Sequence, residues 1–92
     1  MFYTYILKLN DGSFYTGLTG NLPRRLLEHN AGKSISTRRY LPAQMIFNIE
    51  SDTRQEARKI EVDIKKRGAR RFLLKHFMHI YDVRSISKYN LI

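Results

Sequence analysis

The sequence predicts one α+β domain whose elements follow the order β-β-α-β-α-α. Two strand patterns, Phe2–Leu9 and Phe14–Thr19, flank an Asn-Asp-Gly-Ser turn, which is typical of a β-hairpin. The second strand meets a glycine turn and then a helix pattern at once. A further strand pattern and two helix patterns follow. With 92 residues, the chain is long enough to bury a single core.

The first two strands are expected to pair antiparallel. Asp11-Gly12 suits a two-residue hairpin loop, which would pair Asn10 with Ser13. Such a loop brings Tyr5 and Tyr15 to nearby positions of the ladder. If the register allows, the two phenols share one face and reach one cavity.

A first helix is predicted directly after the second strand. Asn21 is a favourable N-cap, Pro23 is tolerated in the first turn, and Gly32 suits the position after the C-cap. Arg25 and His29 are four residues apart, so they share the edge of the apolar stripe of this helix. Snorkelling or a buried hydrogen bond would explain this placement, and so would a functional cleft.

The second half of the chain continues the pattern. A third strand is predicted over Ala43–Glu50, and Thr53 opens a helix that runs to about Arg67, with Gly68 as its stop. A third helix covers residues 69–78. Residues 1–78 then form the domain, and residues 79–92 form a C-terminal extension that is either an edge strand or a packed segment.

Glu61 is an unusual residue on the predicted apolar stripe of the second helix. It lies between Ala57 and Ile64 at helical spacing, so its carboxylate faces the interior. A buried charge needs a partner, because an isolated one is very costly. A salt bridge, for example to Arg25, and a bound cation both satisfy that need.

The charge of the chain favours a polyanionic partner. Lys and Arg number 17 against 8 Asp and Glu, a formal net charge of +9. A basic loop and a basic cluster at the second helix end are either solvated surface or phosphate-binding surface. Their candidate nucleic-acid-binding residues are Lys33, Thr37, Arg38, Arg39, Lys65, Lys66, Arg67, Arg70 and Arg71.

Composition excludes several other classes of protein. The chain has no cysteine, so neither a disulfide nor a thiolate metal site is expected. No apolar run approaches the ~20 residues of a membrane span. The strand pattern begins at once after Met1, which does not suit a signal peptide. We therefore expect a cytoplasmic protein that binds neither a membrane nor a small-molecule cofactor.

Together these residues resemble the GIY-YIG nuclease family. Tyr3-Thr4-Tyr5 is similar to its first signature and Tyr15-Thr16-Gly17 to its second, and Arg25 follows at the family's spacing. The segments around residues 21–30 and 56–65 resemble the small stand-alone bacterial branch, which is related to the N-terminal domain of excision-repair incision nucleases. The resemblance covers about residues 2–75.

This resemblance implies a three-stranded antiparallel sheet flanked by helices and a DNA endonuclease that uses Mg²⁺ or Mn²⁺. Glu61 would hold the metal, and Arg25 would neutralise the scissile phosphate. Tyr5 and Tyr15 would hold or activate water, with Arg25 and the metal lowering the pKa of the phenol, and His29 would assist proton transfer. Leu18 occupies the position where incision enzymes carry a lysine, which leaves open which tyrosine is the base.

Two other functions fit the same residues. A nucleic-acid-binding module could keep the scaffold without turnover, and its binding would not depend on a metal. A subunit could instead rely on a protein partner for targeting, through residues 79–92.

Overall fold

A three-stranded antiparallel sheet in the order β2-β1-β3 forms the centre of the computed structural model, which describes residues 1–78. The observed element order confirms the predicted α+β class. The predicted extension over residues 79–92 lies outside the described residues. The strands are β1 (Phe2–Lys8), β2 (Phe14–Thr19) and β3 (Gln44–Ser51), and the helices are α1 (Leu22–Asn30), α2 (Arg54–Arg67) and α3 (Ala69–Met78), with a short 3-10 turn at Arg38–Tyr40.

The hairpin between β1 and β2 has a three-residue loop, so the predicted two-residue loop is wrong. The Leu9 N–H donates to the Ser13 carbonyl at 2.9 Å, and the Gly12 N–H donates to the Leu9 carbonyl at 2.9 Å. Gly12 has a φ of 86°, the left-handed conformation that such a loop requires at its last residue. In this register Tyr5 lies opposite Gly17.

Each face of the sheet supports its own part of the core. On one face, Tyr5 and Leu7 pack with Met45 and with the partly buried Leu22 and Leu26 of α1. The opposite face packs against α2 and α3, where the buried residues are Ile6, Phe47, Ile64, Phe72 and Leu73. The alternation of β1 therefore places Tyr5 on the face that α1 covers.

The helix boundaries follow the caps that the sequence indicates. The Asn21 side chain accepts a hydrogen bond from the Arg24 N–H, and the Thr53 side chain accepts one from the Glu56 N–H. Gly32 and Gly68 follow α1 and α2 with positive φ. Within residues 1–78, no helix combines the length and the apolar content that crossing a membrane requires.

Candidate active site

Tyr5 is the centre of the candidate site. Its side chain is buried at 1% exposure, and its ring lies directly over Gly17 on the neighbouring strand. A Cβ atom at residue 17 would overlap both the Cζ and the hydroxyl oxygen of Tyr5. The glycine therefore supplies the space that the phenol occupies.

His29 connects this phenol to the loop after α1. Its Nε2 lies 2.9 Å from the Tyr5 hydroxyl, and its Nδ1 lies 2.8 Å from the Thr37 hydroxyl. Both His29 and Thr37 are fully buried. The imidazole is therefore held at both nitrogens, in a position that α1 and the loop after it define together.

Arg25 approaches the same hydroxyl from one turn earlier in α1. Its Nε donates to the Tyr5 oxygen across 3.4 Å, and its Nη1 donates to Glu28 at 3.2 Å. The Arg25 side chain is 32% exposed, and it lines a surface cavity of about 360 Å³. The guanidinium can therefore touch both the buried phenol and a ligand from solvent.

Tyr15 completes a cluster of four predicted residues. Its ring centroid lies 5.2 Å from that of His29 and 6.4 Å from that of Tyr5. The rings of Tyr15 and His29 meet edge to face, an arrangement that aromatic pairs favour. Tyr15 is only half-buried, so its ring forms part of the surface next to the cluster.

Burial controls the protonation of the two central groups. It raises the pKa of Tyr5, and the hydrogen bond from Arg25 opposes this rise without cancelling it. Arg25 alone therefore does not lower the pKa of this phenol as expected from sequence. Burial also lowers the pKa of His29, and the positive charge of Arg25 adds to this effect. A neutral phenol thus faces a neutral imidazole at pH 7.

Glu61 is buried on α2, as its position on the stripe predicts. Arg25 is not its partner: Arg58 Nη1 donates to Oε1 at 2.7 Å, and Lys65 Nζ lies 3.4 Å from Oε2. These local ion pairs form because residues three and four positions apart are neighbours on a helix. The negative charge of Glu61 also raises the pKa of Tyr5, so it acts electrostatically on the cluster.

A divalent ion fits Glu61 under one condition. Magnesium commonly uses one or two protein carboxylates and keeps several waters, and Glu61 offers one carboxylate with both oxygens on paired cations. Arg58 and Lys65 are 66% and 53% exposed, so either can turn away into solvent. Among the side chains of residues 1–75, no group of three His, Cys, Asp or Glu residues could hold a metal ion.

The predicted nucleic-acid-binding residues divide into exposed ones and one that is buried. Thr37 lies in the interior, where its hydroxyl bonds to His29, so its side chain is not on the surface that we expected to meet phosphate. The others are exposed: Lys33, Arg38, Arg39, Lys65, Lys66, Arg67, Arg70 and Arg71. Lys65 and Tyr15 line the same groove. The groove therefore lies between the basic end of α2 and the tyrosine cluster, which consists of Tyr5, Tyr15, Arg25 and His29.

Two structural contributions to the site were not predicted from the sequence. The role of Gly17 depends on the register of the hairpin, and the link between Thr37 and His29 depends on the path of the loop after α1. The pairing of Glu61 with Lys65 could have been found, since a Glu followed by Lys at i+4 is a favourable helical pair.

The chain is similar to known proteins over most of its length. Residues 1–75 match the family described as the GIY-YIG catalytic domain. UPF0213 protein SAG0778 of Streptococcus agalactiae is 38% identical over 66 residues, covering 71% of this chain and 75% of the relative. UPF0213 protein lwe0147 of Listeria welshimeri is 46% identical over 65 residues, covering 67% of this chain and 70% of the relative.

The fold also matches a solved structure. The solution NMR structure of UPF0213 protein BH0048 from Bacillus halodurans has 29% sequence identity and a TM-score of 0.55, and the match covers 95% of this chain and 94% of that one. The relatives and the solved structure are all UPF0213 proteins, and the matched domain is the GIY-YIG catalytic domain. The chain belongs to the GIY-YIG family, among its small bacterial UPF0213 members.

Proposed function

We propose that the chain is a divalent-metal-dependent endonuclease that hydrolyses phosphodiester bonds in DNA. The observation that carries this proposal is the hydrogen-bonded series Arg25–Tyr5–His29–Thr37. It links a phosphate-binding guanidinium to a phenol and then to a neutral imidazole. Membership of the GIY-YIG family supports a nuclease function.

Proton transfer is the first task of these residues. The Tyr5 oxygen accepts a proton from the attacking water, while its own proton passes to His29 Nε2, 2.9 Å away. The water becomes the nucleophile, Tyr5 ends the step neutral, and His29 becomes an imidazolium.

Charge neutralisation is the second task. The planar guanidinium of Arg25 matches two phosphate oxygens and remains protonated throughout. Its cavity of about 360 Å³ is also lined by Thr19, Asn21 and Arg24, which offers room for a phosphate group against the guanidinium. A phosphate here would compete with Glu28 for the guanidinium.

Glu61 is the residue that would hold the metal. A divalent cation held there would supply positive charge against the negative charge that develops on oxygen as the P–O bond breaks. Glu61 contributes a buried carboxylate on a regular helix, which fixes its position. Arg58 or Lys65 must release it first.

The test is nicking of supercoiled DNA with Mg²⁺ or Mn²⁺. Tyr5→Phe keeps the ring and removes the hydroxyl, so we expect the cleavage rate to fall by about 10²- to 10⁴-fold. Glu61→Gln and EDTA should each abolish nicking. If the wild type never nicks, or if Glu61→Gln nicks equally well, the enzymatic proposal is wrong.

A DNA-binding module without turnover is the second candidate, and one observation favours it. Each oxygen of Glu61 already pairs with a cation, so the charge of this carboxylate is neutralised without a metal. Salt-sensitive binding that is unchanged by EDTA and by Glu61→Gln, in the absence of nicking, would establish this alternative.

A further inference from the structure

Lys65 has contacts beyond its ion pair with Glu61 that the proposed nuclease mechanism does not use. Its Nζ lies 3.4 Å from Glu61 Oε2, and its side chain also borders the groove beside β2. The groove has a volume of about 300 Å³, and Phe14, Tyr15 and Thr16 line its β2 side. One ammonium group thus adjoins both the proposed metal ligand and the surface next to the tyrosine cluster.

We propose that Lys65 is a shared counter-ion, which neutralises Glu61 in the metal-free protein and binds a DNA phosphate in the Tyr15 groove once a divalent cation replaces it. This inference rests on the proposed nuclease function. It assigns the groove to a phosphate adjacent to the one that is cleaved. Metal binding and DNA binding then reinforce each other through one side chain.

Electrostatics favour this exchange. A divalent cation on Glu61 would bring like charges together with Arg58 and Lys65, and the local repulsion would expel at least one of them. Lys65 is 53% exposed, so little holds its ammonium against that repulsion. Its flexible four-carbon stem lets the charge move while the backbone stays in α2.

Lys65 differs from Arg58 in what surrounds it. Both side chains neutralise Glu61, but only Lys65 lines a groove that contains Tyr15. Lys66 provides the third comparison, because it is exposed and lies next in the chain but has no ion pair among residues 1–78. Variants of these three residues can therefore distinguish three effects. Arg58 competes with a metal only, Lys65 competes with a metal and can bind phosphate, and Lys66 contributes only its charge.

The first experiment measures Mn²⁺ binding without DNA, by electron paramagnetic resonance of free Mn²⁺. Lys65→Met and Arg58→Met should each tighten Mn²⁺ binding about fivefold, because each removes a cation that competes for Glu61. Lys66→Met should leave the affinity near that of the wild type. Circular dichroism checks that each variant folds.

The second experiment measures the salt dependence of binding to a short phosphorothioate DNA duplex, in EDTA and in Mn²⁺. In Mn²⁺, Lys65→Met should reduce the slope of log K against log salt by about 0.9, the value of one phosphate contact. In EDTA the reduction should be smaller, since Glu61 then holds the ammonium. Arg58→Met should show no such metal-dependent loss.

The outcomes separate this inference from the proposed function. If Mn²⁺ binds the wild type but binds Lys65→Met no more tightly, the shared counter-ion is wrong and the nuclease proposal stands. The shared counter-ion is also wrong if the slope of Lys65→Met is reduced equally in EDTA and in Mn²⁺. If Mn²⁺ does not bind the wild type and no nicking occurs, both proposals are wrong.

Discussion

The tautomer of His29 determines whether this residue can accept a proton from Tyr5. Arg25 must donate to the Tyr5 oxygen, since a guanidinium has no acceptor, so the phenol is free to direct its own proton at Nε2. Nδ1 then carries the ring proton and donates to Thr37. In this tautomer the imidazole is a base aimed at Tyr5, and the Thr37 hydroxyl fixes its orientation.

The pH dependence of cleavage follows from the lowered pKa of His29. Burial keeps this pKa below its usual value of 6.5, and an imidazolium cannot accept the Tyr5 proton. We therefore expect the nicking rate to rise as pH rises through the His29 pKa and to reach a plateau near neutrality. Single-turnover rates measured from about pH 5 to pH 8 check this. A rate that falls over the same range would contradict the role of neutral His29.

Thr37 is a positioning residue, and its removal should be visible in the same profile. Thr37→Val keeps the shape of the side chain and leaves Nδ1–H without its acceptor, so we expect about a tenfold lower rate. The acidic limb should also move to lower pH, because the imidazolium loses a hydrogen bond that stabilises it. Ser36→Ala, an exposed neighbour, is the matched control. An unchanged profile in Thr37→Val would refute the role.

At the scale of elements, the length of one hairpin loop determines whether a site exists. A two-residue loop at Asp11-Gly12 would have placed Tyr15 and Tyr5 on opposite faces of the sheet. The observed loop includes Asn10 and shifts the pairing by one residue, so Tyr15 lies opposite Leu7 and on the same face as Tyr5. A one-residue shift moves every side chain of a strand to the other face of the sheet, so the candidate site depends on this register.

The sequence predicted local features better than contacts between elements. Asn21, Thr53 and Gly68 act within one turn of their helices, so their capping roles follow from neighbouring residues alone. The contact between Thr37 and Nδ1 of His29 depends on how a loop folds back, and no local periodicity encodes that. The sequence predicted the hairpin but not its register, because Asp-Gly suits more than one loop length.

Gly17 provides a test at the level of the β1–β2 pair. Gly17→Ala places a Cβ that overlaps the Tyr5 ring, so the ring must move away from its position beside His29 and Arg25. We expect a loss of about 1–3 kcal/mol in the free energy of unfolding, measured by urea denaturation, together with loss of nicking. Gly20→Ala is the control, because its Cβ would meet only Phe2, at 3.9 Å. Equal stability of the two variants would contradict this packing.

Over the whole described structure, the positive charge is unevenly compensated. Arg67 pairs with Asp63 at 3.0 Å, and Lys65 pairs with Glu61. Within residues 1–78, no carboxylate pairs with Arg70 or Arg71, which are exposed at the start of α3. We expect the uncompensated cations close to the Tyr15 groove to make this end of α2 favourable for a DNA backbone.

Salt dependence tests where the DNA lies. Arg70→Gln should reduce the slope of log K against log salt by about 0.9, because one phosphate contact and its counterion release are lost. Arg54→Gln removes the same charge from the first residue of α2, and the 14-residue helix puts it about 20 Å from the basic end. That distance exceeds the Debye length of ~8 Å at physiological salt, so its slope should match the wild type. Fluorescence anisotropy of a labelled duplex measures both slopes, and equal reductions in the two variants would show that the DNA is held by net charge instead of by this end of α2.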